Sequence, residues 1–241
     1  GFRFFSLGDT ALPSAGMGAI PEQIAARLPA GSVRKEARVA SIQDDGVTLA
    51  GGEQIRAQAV VVATEGPEAA RLLGDATIPG SRSASCIYYG ADEPPVSEPV
   101  LILNGDGRGP VNSLCSPSCV ASGYAPKGRS LISVSVLGNP DQNDQQLETS
   151  VRTQLQEWFG PQVSSWQYLC IYRIPHALPL QIPPVEDPAS APVHIRPRVF
   201  VCGEYGSAAS IQWAMVSGRR AAEAVMGSLG TQTGSARATE G

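Results

Sequence analysis

Histidine is nearly missing from this chain, with only His176 and His194 among 241 residues. Two imidazoles and no regular pairing of acidic residues exclude a conventional metal site. Aromatic residues are scarce, at 6%, which argues against a base-stacking surface. Basic residues are in the minority, 18 Lys and Arg against 22 Asp and Glu, for a formal net charge of -4. A phosphate-backbone binder needs the opposite excess, and needs it clustered, so no nucleic acid partner is expected. No apolar run approaches the ~20 residues that span a bilayer. The opening Gly1-Phe2-Arg3-Phe4-Phe5 is too short for a signal peptide with its cleavage site. The chain therefore reads as soluble. The five cysteines, Cys86, Cys115, Cys119, Cys170 and Cys202, are an odd set, and Cys115-x3-Cys119 has no second pair to complete it. Reduced, structural thiols in a reducing compartment, cytoplasm or organelle stroma, are the reading. Ser113, Ser116 and Ser118 form no Gly-x-Ser-x-Gly elbow, which removes that route to hydrolysis.

Glycine and proline are what the chain has in quantity, 26 and 20 residues, beside 42% hydrophobic content. That is a globular composition rich in turns. A chain of this length buries roughly 70% of its unfolded surface and needs no metal or disulfide to fold. Ile20, Ile24 and Leu28 predict a short helix from Pro21 to Leu28. Val33 to Ile42 and Val47 to Leu49 flank the Asp44-Asp45-Gly46 turn as a hairpin, and a third strand follows Gly51-Gly52. Ala59 to Thr64 is a continuous apolar run of the kind covered on both faces in α/β sheets. Short β-rich runs then follow at Ser85 to Tyr89, Val100 to Leu103, Val111 to Cys115 and Leu131 to Leu137. Leu147, Val151, Leu155 and Trp158 mark a helix that starts near Asp144 and stops at Gly160-Pro161. A Pro-rich, mostly extended segment from Pro179 to Pro197 leads to an apolar strand at Val199 and a final helix.

That final stretch concentrates the chemistry. Val199-Phe200-Val201-Cys202 ends in Gly203-Glu204, and Ile211, Ala214, Met215, Gly218, Ala221, Ala222 and Val225 fall on one face of the helix that follows. Ser210 suits its N-cap, so first-turn N–H groups and about half a positive charge face whatever lies at that end. An anionic group there gains roughly 0.3 to 1 kcal/mol. A plain strand and core helix is the bland alternative.

The same residues resemble the C-terminal signature of the flavin-containing amine oxidase and phytoene desaturase superfamily, an apolar strand, Gly-Asp or Gly-Glu, then Ser-x-x-Gly-Ala-x-x-Ser-Gly-x-x-Ala-Ala. Gly203, Glu204, Ser210, Ala214, Ser217, Gly218, Ala221 and Ala222 match, and Trp213 stands where that family usually has Gly. Pro13 to Leu28 is similar to the family's Pro-x-Gly-Gly-Met-x-x-Ile-Pro-x-x-Leu-Ala segment, with Ala15 in place of one Gly. The family's Gly-x-Gly-x-x-Gly dinucleotide turn does not occur, so the chain looks like the C-terminal half to two-thirds of a member.

The resemblance implies a mixed α/β fold, a partial FAD-binding Rossmann-like domain with an inserted β-rich substrate domain. Residues 1–78 and 179–230 would form the FAD part, 79–178 the substrate domain, and 231–241 a disordered tail. It further implies FAD as cofactor. Gly203 and Glu204 would meet its ribityl or pyrophosphate portion, Val39 its adenine side through the backbone, and Ser210, Ile211, Gln212 and Trp213 the edge of the flavin pyrimidine ring. Tyr88, Tyr89, His176 and Tyr205 become candidates for the substrate cavity, whereas His194 is expected to be exposed. Two functions stay open: an oxidoreductase whose flavin accepts a hydride from a carbon-nitrogen or carbon-carbon bond of a small-molecule substrate, small or apolar, and a non-catalytic scaffold subunit of a larger assembly that keeps a degenerate form of the fold. In either case a partner chain could supply the half that is not here.

Overall fold

The computed structural model describes residues 11–75, 78, 80–182, 187, 189–206 and 208–238. Gly1 to Phe5 and residues 239–241 lie outside that set, as does part of the Pro-rich segment expected to be extended. Helix and strand are nearly balanced, at 32% and 29%, which is the mixed class the sequence implies.

A short helix, α1 (Ala19–Ala25), precedes three strands, β1 (Val39–Gln43), β2 (Gly46–Leu49) and β3 (Gln54–Arg56). The all-valine β4 (Val60–Val62) then leads into α2 (Gly66–Leu73). Next come β5 (Ser81–Ala91), β6 (Leu101–Leu103), β7 (Val111–Cys115) and the one-turn α3 (Pro117–Val120). They are followed by β8 (Ser130–Leu137) and α4 (Asp144–Phe159). Strands β9 (Gln167–Pro179), β10 (His194–Arg196) and β11 (Val199–Val201) lead to the terminal helix α5 (Ile211–Ala238).

Two compact units emerge, one from Gly1–Val33 with Ser83–Pro175, the other from Arg34–Arg82 with His176–Gly241. In the first, five strands are ordered β6-β7-β8-β5-β9. Alternation in β8 buries Ser130, Ile132, Val134 and Val136 on one face, as a sheet with one covered face requires. Leu147, Val151 and Leu155 of α4 join that core, all at 0% exposure. Burial of each contributes roughly 1.5–3 kcal/mol, more than any propensity term in the helix. A capping box starts α4, with Asn143 accepting from the Gln146 N–H at 2.9 Å and Gln146 accepting from the Asn143 N–H at 3.1 Å. Gly160, at φ 74°, ends it.

The second unit holds two small sheets. Strands β1, β2 and β3 form an antiparallel meander. Strands β10, β11 and β4 form the other, in which β11 runs parallel to β4 and pairs Val199 with Val60 and Val201 with Val62. Val62, Ala69, Val199 and Val201 make its core, with Leu72, Leu73 and Tyr205 packed around them.

Several sequence expectations are corrected here. Residues up to Val33 group with the β-rich unit instead of the FAD part, the Ser14 backbone lying close against Gly123. The chain passes between units after Arg82 and after Pro175, inside β5 and β9, instead of at 78 and 178. The first helix stops at Ala25 because Leu28 precedes Pro29 and is pushed out of helical conformation. The first strand begins at Val39 instead of Val33, since Glu36 adopts φ 55° and interrupts the extended run. Helix α5 is drawn to Ala238, into the segment read from the sequence as a tail from 231.

Candidate functional site

Because β4 and β11 are parallel, their carboxyl ends point the same way. The Cys202 N–H extends the ladder by donating to the Val62 carbonyl at 3.0 Å. From one end the chain turns through Thr64 and Glu65 into α2; from the other it turns through Gly203, Glu204 and Tyr205 toward α5. In open α/β sheets this is the crevice where ligands bind.

Glycine at 203 is dictated by geometry. Its φ is +152°, and a Cβ there would stand 2.6 Å from the Tyr205 ring. The turn is tied to α5 by Ser217, at 6% exposure, whose hydroxyl accepts from the Gly203 N–H at 3.0 Å and donates to the Ala214 carbonyl at 2.8 Å. Ser210 caps α5 as its sequence suggested, its Oγ accepting from the Trp213 N–H at 3.3 Å. That bond consumes the Trp213 backbone donor, so the N–H groups of Ile211 and Gln212 are the ones set at the helix mouth. Trp213 is half-buried, and Ile211 and Gln212 are exposed.

Between the two carboxyl ends lies a crevice of about 50 Å³. Thr64, Glu65 and Gly66 line it from the α2 side, Glu204 and Tyr205 from the turn after β11. Ser81 and His176 close it, the Ser81 hydroxyl standing 2.5 Å from Nδ1 of His176. The Tyr205 hydroxyl is buried and has no hydrogen-bond partner among the described residues. Burial, and then the neighbouring Cys202, pushes its ionisation well above the ordinary phenol range. Burial likewise raises the Cys202 thiol.

Other sequence-selected residues are placed as follows. Val39 starts β1, and its carbonyl accepts from the Arg71 guanidinium at 2.9 Å, while the Ala40 carbonyl accepts from the same group at 2.8 Å. Arg71 also pairs with Glu68, which holds that carboxylate below its usual range. Arg71 thus straps α2 to the meander, and the Val39 carbonyl is already engaged. Tyr89 leaves the set of cavity candidates. It is fully buried in the first unit's core beside Trp166, with the Arg152 guanidinium 5.1 Å from its ring centre. Alternation sends Tyr88 to the opposite face, where it meets Tyr172 edge to face at 6.0 Å. Burial, then Cys86, pushes its hydroxyl up to about 12. That open face carries small polar groups, with Ser113 hydrogen-bonded to Ser135 and Cys86 near Ser133. Exposed Leu101, Leu103 and Leu137 flank them. His194 is exposed, its ring against Phe200 at 4.9 Å.

The second unit therefore gathers Glu204, Tyr205 and His176 at one crevice, with Gly203 in the adjoining turn and Ser210 at the start of α5 in the same unit; Tyr88 belongs to the other. Sequence reasoning missed Ser81, Thr64, Glu65 and Arg71 as site-building residues, and named Ser217 only as a match to the family signature, two turns beyond the Ser210 cap. Among the described residues no group of three or more His, Cys, Asp or Glu is placed to hold a metal, and no helix is long and apolar enough to cross a membrane.

The family model for flavin-containing amine oxidoreductases matches residues 2–226. The chain belongs to that family. Among solved structures it resembles a candidate protoporphyrinogen oxidase from Exiguobacterium sp. 255-15, with a TM-score of 0.64 and 16% identity over 80% of this chain and 47% of that one. A reduced UDP-galactopyranose mutase gives a TM-score of 0.64 at 15% identity, covering 79% and 46%. Cyclohexylamine oxidase from Brevibacterium oxydans IH-35A gives 0.58 at 15% identity, covering 80% and 48%. At such identities the likeness establishes the fold alone. The chain spans about half the length of these structures. No curated protein is found as a sequence relative.

Proposed function

We propose that this chain forms the flavin-ring side of an FAD-dependent oxidoreductase of the amine oxidase and desaturase type. The observation that carries the reading is the meeting of the Gly203 turn, Glu204 and the α2 start at the carboxyl ends of two parallel strands. The residues fit part of such a cofactor. The Tyr205 hydroxyl, buried without a hydrogen-bond partner among the described residues, suits a polar segment, while a crevice of about 50 Å³ is far too small for a whole dinucleotide. Bound there, FAD supplies a hydride acceptor for a carbon-nitrogen or carbon-carbon bond. The chain's own residues hold and orient it: Glu204 through its carboxylate, and Ile211 and Gln212 through N–H groups at the positive end of α5. The open face of the first unit, with Tyr88, Tyr172 and the exposed leucines, supports a small or apolar substrate.

Among the described residues strand β4 has one neighbour, β11, in its sheet, and Val61 is 41% exposed. A parallel valine strand on an open edge invites another strand. We infer that further sequence or a partner chain pairs with β4 and brings the dinucleotide turn that these 241 residues lack. The missing turn also favours a second reading, a scaffold subunit without flavin. Native purification separates the two. Flavin absorbance, with FAD released on denaturation, is the expected result; a colourless protein that takes up no added FAD overturns the enzyme reading.

A further inference from the structure

The five-stranded sheet of the first unit has unequal edges. At one end β6 is three residues long; at the other β9 runs for thirteen. Among the described residues β9 has one neighbour in its sheet, β5, so the backbone N–H and C=O groups on its far side meet no strand. Folded proteins guard such an edge with Lys, Pro or a bulge, because it otherwise pairs with another chain. From Gln167 to Tyr172 there is neither a charge nor a proline. Arg173 is the first charged residue, and it is engaged elsewhere, donating to the Asp144 carboxylate at 2.9 Å and to the carbonyls of Pro140 and Gln142 at 2.7 and 2.6 Å. Tyr168, Leu169 and Tyr172 are exposed along this stretch. Proline enters only at Pro175 and Pro179, where the missing N–H limits pairing.

The sequence of the strand selects its partner. Tyr168-Leu169-Cys170-Ile171-Tyr172 reads nearly the same in both directions. Laid antiparallel against its own copy about a two-fold axis at Cys170, it sets Tyr168 opposite the partner's Tyr172, Leu169 opposite the partner's Ile171, and Cys170 opposite the partner's Cys170. Aromatic pairs stabilise an antiparallel ladder, and no like charges meet in this register. The contact is also closed, since each edge covers the other and neither is left to recruit a third copy.

We propose that the protein forms a homodimer by antiparallel pairing of β9 with β9 of a second copy, which joins the two five-stranded sheets across a two-fold axis at Cys170. The proposal is independent of the flavin reading. A contact one strand wide lies at the small end of protein interfaces, so the dimer should dissociate in the micromolar range.

The test is sedimentation velocity of the protein over a range of concentrations, with diamide added to trap the contact. Diamide takes up two protons and two electrons from the facing Cys170 thiols, which leaves one disulfide. The Cα separation of about 4.5–5.5 Å across an antiparallel pair permits that bond. The expected results are a concentration-dependent dimer and a diamide-linked species on a non-reducing gel that Cys170→Ser removes. Tyr168→Lys should weaken association about tenfold, two symmetry-related pairs being lost at once. Adding Tyr172→Glu should recover part of that loss, because this register sets the new carboxylate opposite the new ammonium. Cys170→Ser keeps the test sound if the tyrosine variants fold poorly, since it should dimerise in sedimentation and lose only the cross-link. A monomer at every concentration, a cross-link that survives Cys170→Ser, or unchanged association of folded Tyr168→Lys would overturn the proposal. Slow hydrogen exchange along β9 in such a monomer would give the edge to a segment of the same chain instead.

Discussion

Ser217→Ala tests how the Glu204 turn is held. The wild-type hydroxyl sits at 6% exposure and bridges α5 to the turn after β11. Its bond to the Ala214 carbonyl is the lesser loss, because a helical carbonyl also accepts from the N–H four residues on. The Gly203 N–H loses a buried acceptor, and this sets the size of the effect. Loss of a buried partner costs about 1–3 kcal/mol, and alanine fills most of the serine volume, so no large cavity adds to it. An expected loss of about 1–2 kcal/mol lowers Tm by roughly 3–6 °C in a chain of this size. Two units make a single global transition unsafe to assume, so urea unfolding should be paired with hydrogen exchange at the Gly203 amide. Faster exchange there, with protection of β8 unchanged, is the expected pattern. An unchanged Gly203 amide and a stability within about 0.5 kcal/mol of wild type would refute the tie.

Gly46→Ala should destabilise the meander severely, since a Cβ at φ +155° would stand 1.9 Å from the Ile55 carbonyl oxygen. A cost above about 3 kcal/mol is expected in denaturant unfolding, and near-wild-type stability would show that β2 and β3 are less closely apposed. In alkali, burial raises the hydroxyls of Tyr88, Tyr89 and Tyr205 above the roughly pH 10 at which the unfolded chain ionises. Their contribution is intact below that value and is lost as pH rises, so phenolate absorbance from these tyrosines should appear only together with unfolding. In acid the sign reverses. Arg71 depresses Glu68, and Arg34 depresses Glu53, so their stabilisation holds above the ordinary carboxylate range, about pH 4, and fades as pH falls through the lower folded values. Glu68→Gln should flatten the acid limb of a Tm-against-pH curve, and an unchanged limb would show that the Arg71 strap is not what acid releases.

What could be read from the sequence follows the range of the forces involved. Val111–Cys115 and the α4 span are legible because a short β-rich run between turn residues and three- to four-residue spacing are local signals, and the structure has the strand and the helix there. Helix α2 escapes because its eight residues lie between Thr64 and Gly74 with few large apolar groups to set a period. Strand β9 escapes because Pro175 and Pro179 read as breakers, yet proline is tolerated where no ladder donor is needed. The site divides in the same way. Gly203, Glu204 and the Ser210 cap are one contiguous motif, and sequence finds them. The Ser81–His176 contact joins residues 95 positions apart, brought together by the pairing of β5 with β9, which the Leu180 N–H prolongs by donating to the Gly80 carbonyl at 2.8 Å. No local pattern encodes such a meeting. A variant that removes that bond, such as Leu180→Pro, should therefore speed hydrogen exchange where β5 begins and β9 ends while leaving β8 protected. Unchanged exchange there would mean that the strand ladder alone holds the two segments together.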